Sequence, residues 1–99
     1  MKYDYIVIGG GIIGMTTARE IAIRGASVAV LDRQLFGNEA SRAAGGILSP
    51  MRPWIENRDS IVLSEQAKKI YPDFISDLNN ETGVDAELIN SGLIIIDKD

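Results

Sequence analysis

Ninety-nine residues, 45% hydrophobic and 24% charged, make about one small soluble domain, too little chain for a typical two-domain enzyme. Fourteen acidic residues against ten basic give a formal net charge of −4, and Lys68-Lys69 is the sole adjacent basic pair. That pattern speaks against nucleic acid as a partner, since affinity for a phosphate backbone rests on clustered Lys and Arg. The absence of cysteine excludes disulfides, thiolate metal sites and cysteine nucleophiles, and the absence of histidine removes the commonest general base and metal ligand. No apolar run approaches the length of a transmembrane segment, and the N-terminus lacks the marks of a secretory signal, so a cytoplasmic location is expected.

Tyr5-Ile6-Val7-Ile8 has no polar break and reads as a strand of a parallel sheet buried on both faces. Gly9-Gly10-Gly11 stops it. From Ile12 the spacing turns helical, with Ile13, Thr17 and Ile21 four residues apart and Gly25 placed as a left-handed cap after Arg24. Ser27 to Leu31 reads as a second buried strand, closed by Asp32. Strand, helix and strand within 28 residues require a crossover and therefore parallel strands.

Gly9-Gly10-Gly11-Ile12-Ile13-Gly14 matches G-x-G-x-x-G between that strand and that helix. Gly9 allows the tight turn, Gly11 lets a pyrophosphate reach backbone N–H groups, and Gly14 lets the helix lie close to the strands. The helix start, with the amides of Ile12 and Ile13, adds unpaired donors and partial positive charge. Asp32, 18 residues past Gly14, stands where an acid accepts hydrogen bonds from ribose hydroxyls, and its charge disfavours a 2′-phosphate. Arg33 would flank that ribose. FAD and NAD both satisfy this motif.

Residues 33 to 53 show no period and read as a long loop holding at most a short helical turn. Within it, Ala40-Ser41-Arg42-Ala43-Ala44-Gly45-Gly46-Ile47 combines a hydroxyl and a guanidinium for phosphates with small residues that let backbone pass a flat ring. A second helix follows along the stripe Ile61, Ser64, Ala67, Tyr71, Phe74 or Ile75, and Leu78, capped by Gly83; Pro72 is expected to kink it or to open a new helix. Glu87-Leu88-Ile89 and Leu93 to Ile96 read as strands about the turn Asn90-Ser91-Gly92.

The glycine fingerprint with Asp32, followed by Ser-x-x-Ala-Gly-Gly-Ile-Leu-x-Pro from Ser41 to Pro50, resembles the flavoprotein amine oxidases of the D-amino-acid oxidase superfamily, above all the glycine oxidases linked to thiamine biosynthesis. The likeness runs on through Tyr71-Pro72-Asp73-Phe74, Thr82-Gly83-Val84-Asp85 and Ser91-Gly92-Leu93. It implies an α/β fold with a Rossmann-like FAD-binding βαβ unit of the GR2 type, incomplete here. Residues 1–83 would belong to the FAD-binding domain, and 84–99 would lead into a substrate domain. It further implies FAD on Gly9, Gly11, Ile12, Ile13 and Gly14, adenosine beside Asp32 and Arg33, the phosphate and ribityl path along Ala40, Ser41 and Arg42, and the isoalloxazine beside Gly45, Gly46 and Ile47. The reaction implied is hydride transfer from the carbon of a small amine or amino acid to the flavin.

Relatives of this kind are several times longer, so the sequence is expected to be an N-terminal part of one, with its catalytic residues outside it and low activity alone. Strand Leu93–Ile96 would then offer an open edge for self-association. Two other readings stand beside this one: an NAD-binding dehydrogenase module, which has no need of the Ser41–Ile47 loop, and an inactive piece that serves only in assembly.

Overall fold

A computed structural model describes residues 1–48, 57–92, 94 and 96. The chain divides into two units, Met1–Ile47 and Leu48–Asp99.

The first unit is a strand–helix–strand. Strand β1 (Tyr5–Ile8), helix α1 (Ile12–Ile23) and strand β2 (Val28–Leu31) follow in order, and the strands pair in parallel from Tyr5 opposite Val28 to Ile8 opposite Leu31. Ser27, expected to begin the second strand, instead ties the strands together at their start. Its amide and hydroxyl both donate to the Asp4 carboxylate, at 2.9 and 2.7 Å, and its carbonyl accepts from the amides of Asp4 and Tyr5. The hydroxyl, and after it the amide, hold the Asp4 carboxyl below its ordinary range.

Helix α1 ends in a Schellman turn. Gly25, at φ 86°, donates to Ala22 O, and Ala26 donates to Ile21 O, the paired bonds that satisfy the last carbonyls. Ala18 is the buried hydrophobic residue at the centre of the unit, 6% exposed. The expectation of strands buried on both faces fails. Val7 lies beneath α1 at Gly14, whereas Ile6 and Ile8, one step out of phase, are 61% and 86% exposed. A single helix shields a single face of a two-stranded sheet, so the alternate side chains of an all-apolar strand meet water.

A four-residue helix, α2 (Ala40–Ala43), supplies the short turn expected in the loop. Gly45 to Leu48 follow without regular structure and exposed, with Gly46 at φ 71°.

The second unit is built on α3 (Arg58–Thr82), 25 residues long. Asn57 caps its start, accepting from the Ser60 amide at 2.8 Å, and Asp59 adds negative charge to the first turn. The stripe foreseen from spacing is the half-buried face: Ile61, Ser64, Tyr71, Phe74, Ile75 and Leu78 lie on it, and Ala67 is exposed. The rings of Tyr71 and Phe74 pack at 6.0 Å in a tilted pair. Pro72 opens no second helix; α3 continues through it to Gly83, which takes the left-handed φ of 70° and donates to Asn79 O. Replacing Gly83 with Ala is expected to cost about 1–2 kcal/mol, the penalty of a Cβ in left-handed backbone. Thermal unfolding would show it, and an unchanged midpoint would mean that the cap contributes nothing.

Glu87-Leu88-Ile89 is not a strand. Asn79 accepts from the Ala86 amide, Asp85 accepts from the Glu87 amide at 2.8 Å, and Glu87 adopts φ 54°. These bonds take the amides of Ala86 and Glu87, at the start of the expected strand, and Glu87 turns the chain out of extended geometry. Of the second expected strand, Ile94 and Ile96 carry no strand assignment, while Leu93 and Ile95 lie outside the described residues.

Candidate cofactor site

Of the expected residues, Gly9, Gly11, Ile12, Gly14, Asp32 and Ser41 come together where β1 and β2 end, the place where parallel α/β sheets hold ligands. Arg42, Gly45, Gly46 and Ile47 are not brought to the turn. Leaving β1, Gly9 turns at φ 105°, open to glycine but not to other residues, and its amide donates to Leu31 O at 2.7 Å. The turn thus hangs directly from the end of β2. Gly14, one helical turn later, faces the same peptide. A Cβ there would lie 1.8 Å from Gly9 O and 3.4 Å from Val7 Cγ1, so the absent side chain is what lets α1 approach.

Asp32 is half-buried and braces two segments. Its Oδ2 accepts from the Gly10 amide at 2.7 Å and its Oδ1 from the Gln34 amide at 2.9 Å. The Gln34 amide, then the Gly10 amide, hold its carboxyl below the ordinary carboxylate range, so it is ionised near neutrality. Each oxygen keeps further lone pairs, so hydroxyl donors can still be accepted.

Ser41, on α2, reaches the start of α1. Its Oγ accepts from the Ile12 amide at 2.8 Å and would lie 3.2 Å from a Cβ on Gly11. Helix geometry leaves the first amides of α1 without helical acceptors, and Ser41 takes one of them. Its own hydroxyl hydrogen has no acceptor among the described residues. Arg33 is exposed and pairs with Glu39, its Nη2 at 2.6 Å from Oε1. Arg42 donates to Asn38 Oδ1 at 2.7 Å rather than toward the turn. Ala40 sits beside Ser41 on α2, and Gly45, Gly46 and Ile47 trail from it, Ile47 being 83% exposed. A cleft of about 330 Å³ opens among Ile8, Gly9, Leu31, Asp32, Arg33 and Glu39.

Spacing alone overlooked Gly10, Gln34, Phe36 and Glu39. The one available signal was the middle glycine of Gly9-Gly10-Gly11, at a position where the fingerprint accepts any residue.

A parallel strand–helix–strand, a glycine turn at the strand ends and an ionised acid closing β2 define a dinucleotide-binding protein. The family described as FAD dependent oxidoreductase matches residues 4–99, and this chain belongs to it. The chain is similar to glycine oxidase of Pseudomonas aeruginosa, 40% identical over all 99 residues and 27% of that protein, and to glycine oxidase of Pseudomonas putida, 37% identical over the same shares. The crystal structure of glycine oxidase from Bacillus cereus superposes with a TM-score of 0.75 at 37% identity, over 85% of this chain and 22% of that one. The chain thus spans about a quarter of the length of the relatives it matches. Membership settles what the motif left open: the cofactor is FAD, not NAD. No helix among the described residues is long and apolar enough to cross a membrane.

Proposed function

We propose that this chain holds the adenine and pyrophosphate half of FAD in an oxidoreductase that oxidises the amine-bearing carbon of a small amino acid, glycine being the first candidate. The observation that carries the reading is the Gly11–Ser41–Asp32 arrangement. A side-chain-free backbone and an unspent hydroxyl hydrogen face the start of α1, while an ionised carboxylate stands at the end of β2. The cradle fits the cofactor: a Cβ on Gly11 would enter the space beside Ser41 Oγ that a pyrophosphate needs.

In this reading Gly9, Gly11, Ile12, Ile13 and Gly14 bind the pyrophosphate, and Ser41 donates to it. Asp32 accepts from the ribose, with Arg33, held by Glu39, beside the adenosine. Ala40, Arg42, Gly45, Gly46 and Ile47 border the path toward the flavin ring. Residues 1–83 form the front of the FAD-binding domain, and 84–99 lead toward the substrate domain. Bound FAD supplies the two-electron acceptance; the residues named here bind and orient it. The similarity to glycine oxidases supports an amino acid as substrate, and the cysteine-free sequence accords with the cytoplasm.

The test is flavin content. The intact protein is expected to purify yellow with stoichiometric FAD and to reduce it on addition of glycine, while Gly11→Val is expected to purify colourless. A colourless wild-type protein that ignores added FAD would sink the proposal, as would a fully loaded Gly11→Val.

A further inference from the structure

Gly10 occupies the unconstrained position of the fingerprint, yet it is the buried residue of the turn. Its φ is not in the left-handed range, so backbone conformation does not demand glycine. The constraint comes from Phe36. A Cβ built on Gly10 would lie 2.4 Å from Phe36 Cδ1 and 3.0 Å from Cγ, so the ring already occupies the place of a side chain. Every other group of Gly10 is also taken: its amide donates to Asp32 Oδ2 at 2.7 Å, and its carbonyl accepts from the Gly37 amide at 2.7 Å. The segment after Asp32 thus holds this one residue on three sides. Gly37 can follow the ring back onto the carbonyl because it adopts φ 72°. Phe36 itself is 56% exposed, so its contact with Gly10 is made at the surface of the turn.

We infer that Phe36 is a positioning residue for the cofactor site: its ring, packed on Gly10, fixes the peptide between Gly9 and Gly11 in the orientation that presents the Gly11 backbone to the pyrophosphate. This rests on the reading that the turn holds FAD. It makes the Leu35–Gly37 segment a clasp on the glycine turn, and it explains a glycine that the fingerprint does not require.

The geometry sets a double-mutant test in the intact protein, read by FAD titration with flavin fluorescence and by the visible flavin spectrum. Phe36→Ala is expected to weaken FAD about ten-fold, the scale of a lost aromatic contact. Phe36→Tyr, which keeps the ring, is expected to bind as wild type. Gly10→Ala displaces the ring and is expected to weaken FAD at least as much. In the Phe36→Ala background the same Gly10→Ala change should cost little, because the obstacle is gone. Unchanged affinity in Phe36→Ala, or an equal penalty for Gly10→Ala in both backgrounds, overturns the role of Phe36. Should Phe36→Ala fail to fold, Phe36→Val, which lacks the Cδ1 atom that meets the Gly10 Cβ, is compared with and without Gly10→Ala in the same way. Wild-type protein that takes up no FAD overturns the functional reading instead, so the two failures are distinguishable.

Discussion

Replacing Gly14 with alanine is expected to destabilise the protein by about 3 kcal/mol, the upper end for overpacking, and to strip it of flavin in the same step. The new methyl would lie 1.8 Å from Gly9 O and 2.9 Å from Gly9 C. Both obstacles are backbone, and Gly9 is itself hydrogen-bonded to Leu31 O at the end of β2. No rotamer change can relieve the contact; either α1 lifts off the strands or the glycine turn leaves the strand ends. Gly25 is the fitting control, since nothing lies within 4 Å of a Cβ there and only its φ of 86° opposes a side chain. Thermal unfolding and flavin content, measured on Gly14→Ala and Gly25→Ala, should separate widely. Equal midpoints would show that close approach of α1 is not what Gly14 provides.

Asp32 carries the second large effect. Replacing it with alanine leaves the Gly10 and Gln34 amides without their acceptor and removes the proposed ribose contact, so FAD affinity should fall on the order of ten-fold or more. Asparagine keeps one acceptor oxygen for two amides and should fall between alanine and the native residue. The pH dependence follows from the depressed carboxyl. A group whose folded pKa lies below its unfolded value contributes stability that is fully present above the unfolded pKa and lost as pH falls through the folded one. Flavin retention through Asp32 is therefore expected to stay level from neutrality through mild acid, and to drop only below the ordinary carboxylate range. Asp32→Asn should lack that step. An Asp32→Asn protein with the wild-type acid profile would assign the transition to other carboxylates, of which Asp4, held by Ser27, is the first to examine.

The glycine turn and its flanking elements were legible in the sequence because their signals are local. Gly9 to Gly14 punctuate an apolar run, Ile13, Thr17 and Ile21 follow the helical period, and Gly25 and Gly83 both take the left-handed backbone that a helix cap requires. In the Ser41–Ile47 loop the residue types suggested phosphate and ring contacts, but small residues without a period do not specify a conformation, and the likeness to flavoproteins was needed to name a ligand. The strand expected at Glu87–Ile89 does not form. Leu88 and Ile89 are apolar enough for a strand, but Asp85 and Asn79 capture the neighbouring amides, and apolarity alone cannot supply a ladder.

What the sequence by itself determined is the strand–helix–strand order, the glycine turn between the first strand and the helix, and the acid that follows the second strand. These depend on residues within a few positions of one another, whose steric and hydrogen-bonding limits act along the chain. What only the tertiary structure decided is how the turn is held. Gly10 meets Phe36 across 26 positions, Ser41 meets Ile12 across 29, and the exposed Arg33 pairs with Glu39. Contacts of that kind arise from how the loop folds back over the strand ends, and no periodicity along the chain encodes them.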